Sequence, residues 1–283
     1  MRRRKYQVKR TIAVTALFIT GLSVLLYPFI SNNIYQYKAD KKVAEYMKTA
    51  QSKNNSENAA DLKKAYKYNK SLIGETPPDT FSEREGIHND ETYDGILNQM
   101  NDGIMACIEI PSIKVKLPIY HYTSKETLEK GAGHLFGSSL PVGGEGTHAV
   151  ITAHRGLPSA KMFTDLDLMK KGDLVYIYTC GKHLVYEVDQ IKTVKPEDCS
   201  DLGIEEEKDQ ITLVTCTPYG KNTDRLLVRG HRTTDKKTKS SSVHHRIPVK
   251  HIFMLLIGSA TAIILVILVR RSRKKSRKKR NHS

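Results

Sequence analysis

The stretch Thr212-Leu-Val-Thr-Cys216-Thr-Pro-Tyr-Gly220 closes an apolar, β-branched run on a cysteine and then breaks into a Pro/Gly turn. β-branched residues suit the extended backbone and the turn residues end it, so Cys216 stands at the mouth of a strand. A strand end holds a side chain rigidly while the loop beyond it leaves room for a substrate, the geometry a nucleophile needs. Nine residues on, Arg225 opens a second run, Arg225-Leu-Leu-Val-Arg-Gly230. A thiol and a guanidinium therefore sit on strands joined by one short loop.

The same pattern recurs upstream. Short β-branched runs between turn signals cover Ile104 to Ile110, Ile113 to His121, Thr147 to His154, Leu174 to Tyr178, Leu184 to Val194, Ile211 to Cys216 and Leu226 to Gly230. Seven such runs with short links predict a mainly β fold, a closed barrel over residues 104–232. Ser124 to Lys130 and Ser159 to Lys170 are expected to form short helices. Gly143-Gly-Glu-Gly146 lacks the strand, glycine spacing and lysine of a phosphate loop and reads as a hairpin turn.

The chain carries 46 Lys+Arg against 30 Asp+Glu, a formal charge of +16, which invites a nucleic-acid reading. Its distribution argues otherwise. Residues 1–10 hold six basic groups and residues 270–280 hold nine, with no acid in either; setting these fifteen aside leaves 31 basic against 30 acidic groups. A nucleic-acid-binding domain concentrates its charge on the folded unit, so no nucleic-acid partner is expected. Each basic end borders an uncharged apolar run, Thr11 to Ile30 (20 residues) and Ile252 to Val269 (18 residues). Both are long enough to span a bilayer, and neither carries the polar stripe of a buried core helix.

The first run exceeds the apolar region of a signal peptide and lacks a small-residue exit, which favours an uncleaved anchor. Basic flanks stay inside, so the expected organisation is a cytoplasmic segment (1–10), a membrane helix (11–30), an outer part and a second membrane helix (252–269) with a cytoplasmic tail (270–283). The outer part divides into a helical stalk (31–75), a polar lid or linker (76–103), the barrel (104–232) and a linker (233–251). Within the stalk, Lys38 to Thr49 and Ala59 to Leu72 read as amphipathic helices. The cell membrane is thus the expected location, with the barrel extracellular and both termini cytoplasmic.

Four cysteines, Cys107, Cys180, Cys199 and Cys216, lie in the outer part, with no Cys-x-x-Cys pair. They are too sparse for a disulfide scaffold in a chain able to bury its own core. Cys107 and Cys180, in strand-like runs, read as small buried apolar groups; Cys199 has no assigned role. Histidines and acids are not clustered at ligand spacing, so neither a metal nor another cofactor is expected.

A partner for Cys216 is found in Thr152-Ala-His-Arg-Gly156, where His154 ends a strand as Cys216 does. A Cys–His pair works as nucleophile and general acid, the histidine protonating a leaving amine. His134 and His148 are rivals on spacing alone, and Arg155 and Arg229 read as surface or structural groups. Two other classes fit the residues alone: a surface-tethered binding module, which needs no reactive thiol, and a cysteine hydrolase, which releases free acid instead of joining chains.

Thr212-Leu-Val-Thr-Cys216 resembles the active-site signature of the sortases. Its extension through Thr217-Pro-Tyr-Gly, Asn222-Thr and Arg225-Leu-Leu-Val-Arg-Gly230 resembles the class C, pilus-assembling members. Ile110-Pro-Ser-Ile, Leu117-Pro-Ile-Tyr-His121, Gly133-His-Leu, Ser139-Leu-Pro-Val-Gly-Gly144 and His154-Arg-Gly-Leu-Pro158 match in order, as do two membrane spans. The resemblance implies a sortase β-barrel and a cysteine transpeptidase acting on an LPXTG-like sorting signal. It gives Cys216 the role of nucleophile, His154 that of acid and base, and Arg225 that of holding the peptide and the oxyanion. It also implies pilin subunits as partners, a pilin lysine amine being the acyl acceptor; the alternative is a wall-anchoring enzyme that uses a peptidoglycan cross-bridge amine.

Class C sortases carry a lid before the barrel with Asp-Pro-Phe or Asp-Pro-Trp, and this chain has Asp79-Thr-Phe81 in its place. Proline would fix φ and stiffen such a plug, whereas threonine leaves it looser. If Asp79 and Phe81 form a weak lid over Cys216, Phe81→Ala will speed alkylation of that thiol. Unchanged alkylation and peptide turnover would remove the lid.

Overall fold

The structure is a computed structural model that describes residues 2–72 and 90–234. The Asp79-Thr-Phe81 segment and the run from Ile252 to Val269 lie outside the described residues.

Eight strands form a closed barrel: β1 Ile104–Ile110, β2 Val115–His121, β3 Ala132–His134, β4 Thr147–Thr152, β5 Leu174–Thr179, β6 Lys182–Val194, β7 Asp209–Thr217 and β8 Asp224–Thr233. They close in the order β1-β2-β3-β4-β7-β8-β6-β5. Seven of the eight follow the β-branched runs. The additional strand, Ala132–His134, is three residues long and half glycine-flanked, too short to show an alternation. β2 begins at Val115 rather than Ile113, because Pro111–Ile113 forms a 3₁₀ turn that ends on Lys114 at φ 56°. The β5–β6 turn is Cys180-Gly181, both at positive φ (43° and 74°), the two-residue connection that suits the twist of a hairpin.

Alternation along the strands sorts the core. Ile108, Ile110, Leu117, Ile119, Ala149, Ile151, Ile177, Ile211, Leu213 and Val228 fill the main cluster. Cys107 is fully buried and burial drives its thiol far above the usual range; Cys180, at the turn rather than within a strand, is pushed up to about 12 for the same reason.

Helix α1 runs unbroken over Arg2–Ser52, so the run from Thr11 to Ile30 and the Lys38-to-Thr49 helix are one element. Its N-terminal part is long and apolar enough to cross a membrane, and none of that window is buried against the protein. Beyond it α1 lies on the barrel: Val43 and Tyr46 are buried, and the Tyr46 hydroxyl donates to the Met105 carbonyl at 2.9 Å and accepts from the Cys180 amide at 3.3 Å. Helix α2, Asn55–Lys70, is capped by Asn54, whose side-chain oxygen accepts from the Glu57 amide. It too is held against the barrel. The buried Asn69 side chain donates to the Leu140 carbonyl and accepts from the Leu140 amide, a side chain closing a ladder as a strand would. Helix α3, Glu91–Asp94, brings Tyr93 into the core, and α4, Lys125–Lys130, fills the expected place before β3. The expected helix over Ser159 to Lys170 reduces to a 3₁₀ turn at Leu166–Leu168: the Ser159 carbonyl and Lys161 amide bond to α1, the Phe163 amide bonds to the His154 carbonyl, and the rest of the loop closes short local turns. Gly143 to Gly146 lie in the β3–β4 link, where the Gly144 amide donates to Asp209.

Buried His134 donates from Nε2 to the Ser139 carbonyl at 2.8 Å and accepts at Nδ1 from the Tyr93 hydroxyl at 2.7 Å. Burial lowers its pKa to about 4 from 6.5. The unfolded chain therefore takes up this proton near 6.5 and the folded chain only near 4, so the unfolded state binds more protons between those values and stability falls as pH falls. His134 alone is expected to remove about 3 kcal/mol across that window. Urea denaturation followed from pH 7 to pH 4 measures it, and a flat profile would contradict the neutral, doubly bonded ring.

Candidate active site

Strands β4 and β7 pair in parallel with a constant offset of 62 residues, from Thr147–Asp209 to Thr152–Val214. Past the last pair the register holds: the Ala153 amide donates to the Val214 carbonyl at 3.2 Å, and the Thr215 hydroxyl donates to the Ala153 carbonyl at 2.8 Å. The same offset sets His154 level with Cys216. On the other side β7 pairs antiparallel with β8, and there Cys216 stands directly opposite Arg225. Three neighbouring chains thus bring the three residues to one place.

Side-chain parity puts them on one face. Ala149, Ile151, Ala153, Ile211 and Leu213 point into the main core, whereas Val150, Val214 and Leu227 belong to a second cluster with Leu135, Val194 and Leu202. Cys216 and Arg225 follow Val214 and Leu227 in the alternation, and His154 follows Val150. The site therefore sits on the outer surface of the sheet, on an apolar floor, and not in the barrel interior.

The Arg225 guanidinium donates from Nη1 toward Cys216 Sγ at 3.8 Å and toward the carbonyls of Asn222 (3.5 Å) and Asp224 (3.4 Å). It is aimed where negative charge would develop on sulfur or on an oxygen bound beside it. His154 is half-buried; desolvation lowers its pKa, and the Glu129 carboxylate pulls it partly back up. Its ring is thereby biased toward the neutral form.

The rival histidines are framework. His134 is locked between Tyr93 and Ser139, and His148 donates from Nδ1 to the Gly203 carbonyl (2.8 Å) and accepts at Nε2 from the Thr212 hydroxyl (2.7 Å). Arg155 is less superficial than its sequence context implied. Its side chain is only 8 % exposed, with Nη1 donating to the Thr217 hydroxyl at 3.0 Å and Nη2 to Asp167 at 2.6 Å. The residue after His154 is thus tied to the residue after Cys216, and only its adjacency to His154 hinted at this. Arg229 pairs with Asp189 at 3.0 Å, away from these groups. Tyr219, 61 % exposed, lies so close to Gly156 that a Cβ there would sit 2.9 Å from its ring. Among the described residues no His/Cys/Asp/Glu group is arranged to hold a metal ion.

A sortase domain family matches residues 108–233. Sortase A of Listeria monocytogenes is 29% identical over 234 residues, covering 82% of this chain and 95% of its own. The crystal structure of sortase C-1 from Streptococcus pneumoniae is 42% identical with a TM-score of 0.64, covering 69% of this chain and 99% of the other. The chain belongs to the sortase family. A further structural neighbour, sortase C1 of GBS pilus island 1, is 38% identical with a TM-score of 0.63 over 72% of this chain and 96% of its own. This sortase is accordingly a cysteine transpeptidase whose barrel resembles those of class C members.

Because Glu129 is the group that raises the His154 pKa, Glu129→Gln is expected to move its titration to lower pH. NMR titration of the His154 ring reads this directly, and an unmoved curve would dissociate the two.

Proposed function

We propose that this sortase is a membrane-anchored transpeptidase that cleaves an LPXTG-like sorting signal and joins the acyl group to a lysine amine of a pilin subunit, polymerising pili. Cys216 passes its thiol proton to His154 as Sγ attacks the threonine carbonyl of the Thr-Gly bond, and Arg225 stabilises the resulting oxyanion. The C–N bond breaks as His154 gives a proton to the leaving amine, which leaves a Cys216 thioester. In the second half, His154 takes a proton from the incoming lysine amine as the amine attacks the thioester carbonyl, and the departing sulfur takes that proton back from His154. An isopeptide bond is the product.

The observation that carries this reading is the cross-strand Cys216–Arg225 pair, with the guanidinium 3.8 Å from the thiol, beside the His154 register position. Arginine suits the task because its planar fork can meet an oxyanion and the peptide together, which lysine cannot. The pilus-island origin of one structural neighbour supports a pilin acceptor over a wall peptide. Helix α1 supplies the anchor, with the barrel outside the cell and the N-terminal basic segment inside. Asp79 and Phe81 complete the reading as a loose cover of the thiol.

Incubating the full chain with an LPXTG-type peptide, pilin subunits and a cross-bridge peptide amine tests it by mass spectrometry. A Cys216 thioacyl adduct and pilin-lysine products are expected, and Cys216→Ala removes both. Arg225→Lys is expected to lower kcat/KM by about 10²- to 10³-fold, the cost of one oxyanion donor. Products carrying only the cross-bridge amine would reassign the enzyme to wall anchoring.

A further inference from the structure

We infer that the barrel stands on the bilayer with its His154–Cys216 end against the lipid headgroups, so that the acyl donor is taken at the membrane surface. The inference rests on α1 being the membrane anchor and adds to it the orientation of the catalytic end.

The apolar run of α1 ends at Ile30, and Ser31-Asn32-Asn33 follows within the same helix. Tyr27, Tyr35 and Tyr37 bracket that boundary, the place where amphipathic rings settle at a membrane–water interface. The first two turns beyond Ile30 then bond to the barrel at four points. The Ser31 hydroxyl donates to the Ser159 carbonyl (3.3 Å), the Asn32 side-chain oxygen accepts from the Lys161 amide (2.7 Å), the Tyr35 hydroxyl donates to the Lys130 carbonyl (3.1 Å), and the Gln36 amide donates to the Lys116 carbonyl (3.3 Å). At 1.5 Å per residue, Ser31 to Gln36 lie about 2 to 9 Å beyond Ile30 along the helix. One headgroup layer is about 5–7 Å deep, so these barrel loops sit in it or at its outer edge.

All four partners belong to one end of the barrel. Lys116 stands at the start of β2 and Lys130 just before β3, and these two strands run parallel. β4 runs opposite to β3, and β7 runs with β4. Strands β2 and β3 therefore leave this rim, whereas β4 and β7 arrive at it, and what they deliver there are His154 and Cys216. Ser159 and Lys161 continue from His154, whose carbonyl accepts from the Phe163 amide of the same loop.

Helix α1 fixes the direction of the whole. From Asn32 to Tyr46 it rises about 21 Å beside β1 and β2, reaching Met105 at the other end of that pair and then the β5–β6 turn near Gly181. Helix and strands thus share an axis, and a membrane tilt of about 20° leaves the order of the ends unchanged. The Gly146–Glu206 contact, where β4 and β7 begin, faces away from the bilayer. A thiol placed this way favours a donor polypeptide whose scissile bond lies close to the membrane over one free in the medium.

The test uses the full chain reconstituted into vesicles that carry a headgroup-labelled energy acceptor. A fluorescent non-natural residue replaces Lys130 or Glu206, both exposed and at opposite ends. Energy transfer several-fold stronger from position 130 than from 206 is expected. A chain that floats with the vesicles but shows equal or reversed transfer overturns the orientation and leaves the anchor standing. A chain that does not float with them overturns the anchor, and the inference with it.

Discussion

The parallel pairing of β4 with β7 is the constraint from which the site follows. Two strands distant in sequence, locked at a single offset over six residue pairs, must end together, and whatever follows them is brought side by side. A slip of one residue would turn Cys216 into the packed interior and exchange the faces of Leu213 and Val214, each fitted to its own buried cluster, and the packing of Ile211, Leu213 and Val214 opposes it. The thiol and imidazole are thus neighbours because the core permits no other register. Hairpin pairing of β7 with β8 adds the guanidinium at the cost of one short loop.

His134, His148 and His154 show how environment separates structure from chemistry on this sheet. His134 and His148 have both ring nitrogens committed to fixed partners, which sets one tautomer and leaves no free proton traffic. His154 lies past the end of its strand, half-exposed and near a carboxylate, where a change of charge is tolerable. Arg155, next to it, stiffens the loop by bridging to Thr217 and Asp167. A mobile loop would lose that geometry between encounters with substrate.

Much of this was legible in the sequence, for identifiable reasons. Long β-branched runs such as Leu184 to Val194 and Ile211 to Cys216 carry a strong signal, and seven of eight strands follow from it. Ala132–His134 escapes because three residues bearing a glycine hold no periodicity; it exists through its pairing with β2 and β4. The helices before the barrel read as a stalk because Val43, Tyr46, Ala65 and Asn69 show their packing role only once the barrel surface they meet is known. Arg155 was unreadable for a similar reason: its partners lie 62 and 12 residues away, and nothing in a linear reading ties Thr217 to Asp167.

Closure of the barrel, with β5 paired to β1, has a consequence for how a peptide is held. An extended polypeptide often docks by adding a strand to an open sheet edge, where its main chain supplies the affinity. Among the described residues every strand of the barrel has a neighbour on both sides, so no whole strand is left as an open edge. A peptide bound at the rim then depends more on side chains and loop backbone there, so that its sequence counts for more than its mere extension. The same closure disfavours edge-to-edge association with other copies of the barrel.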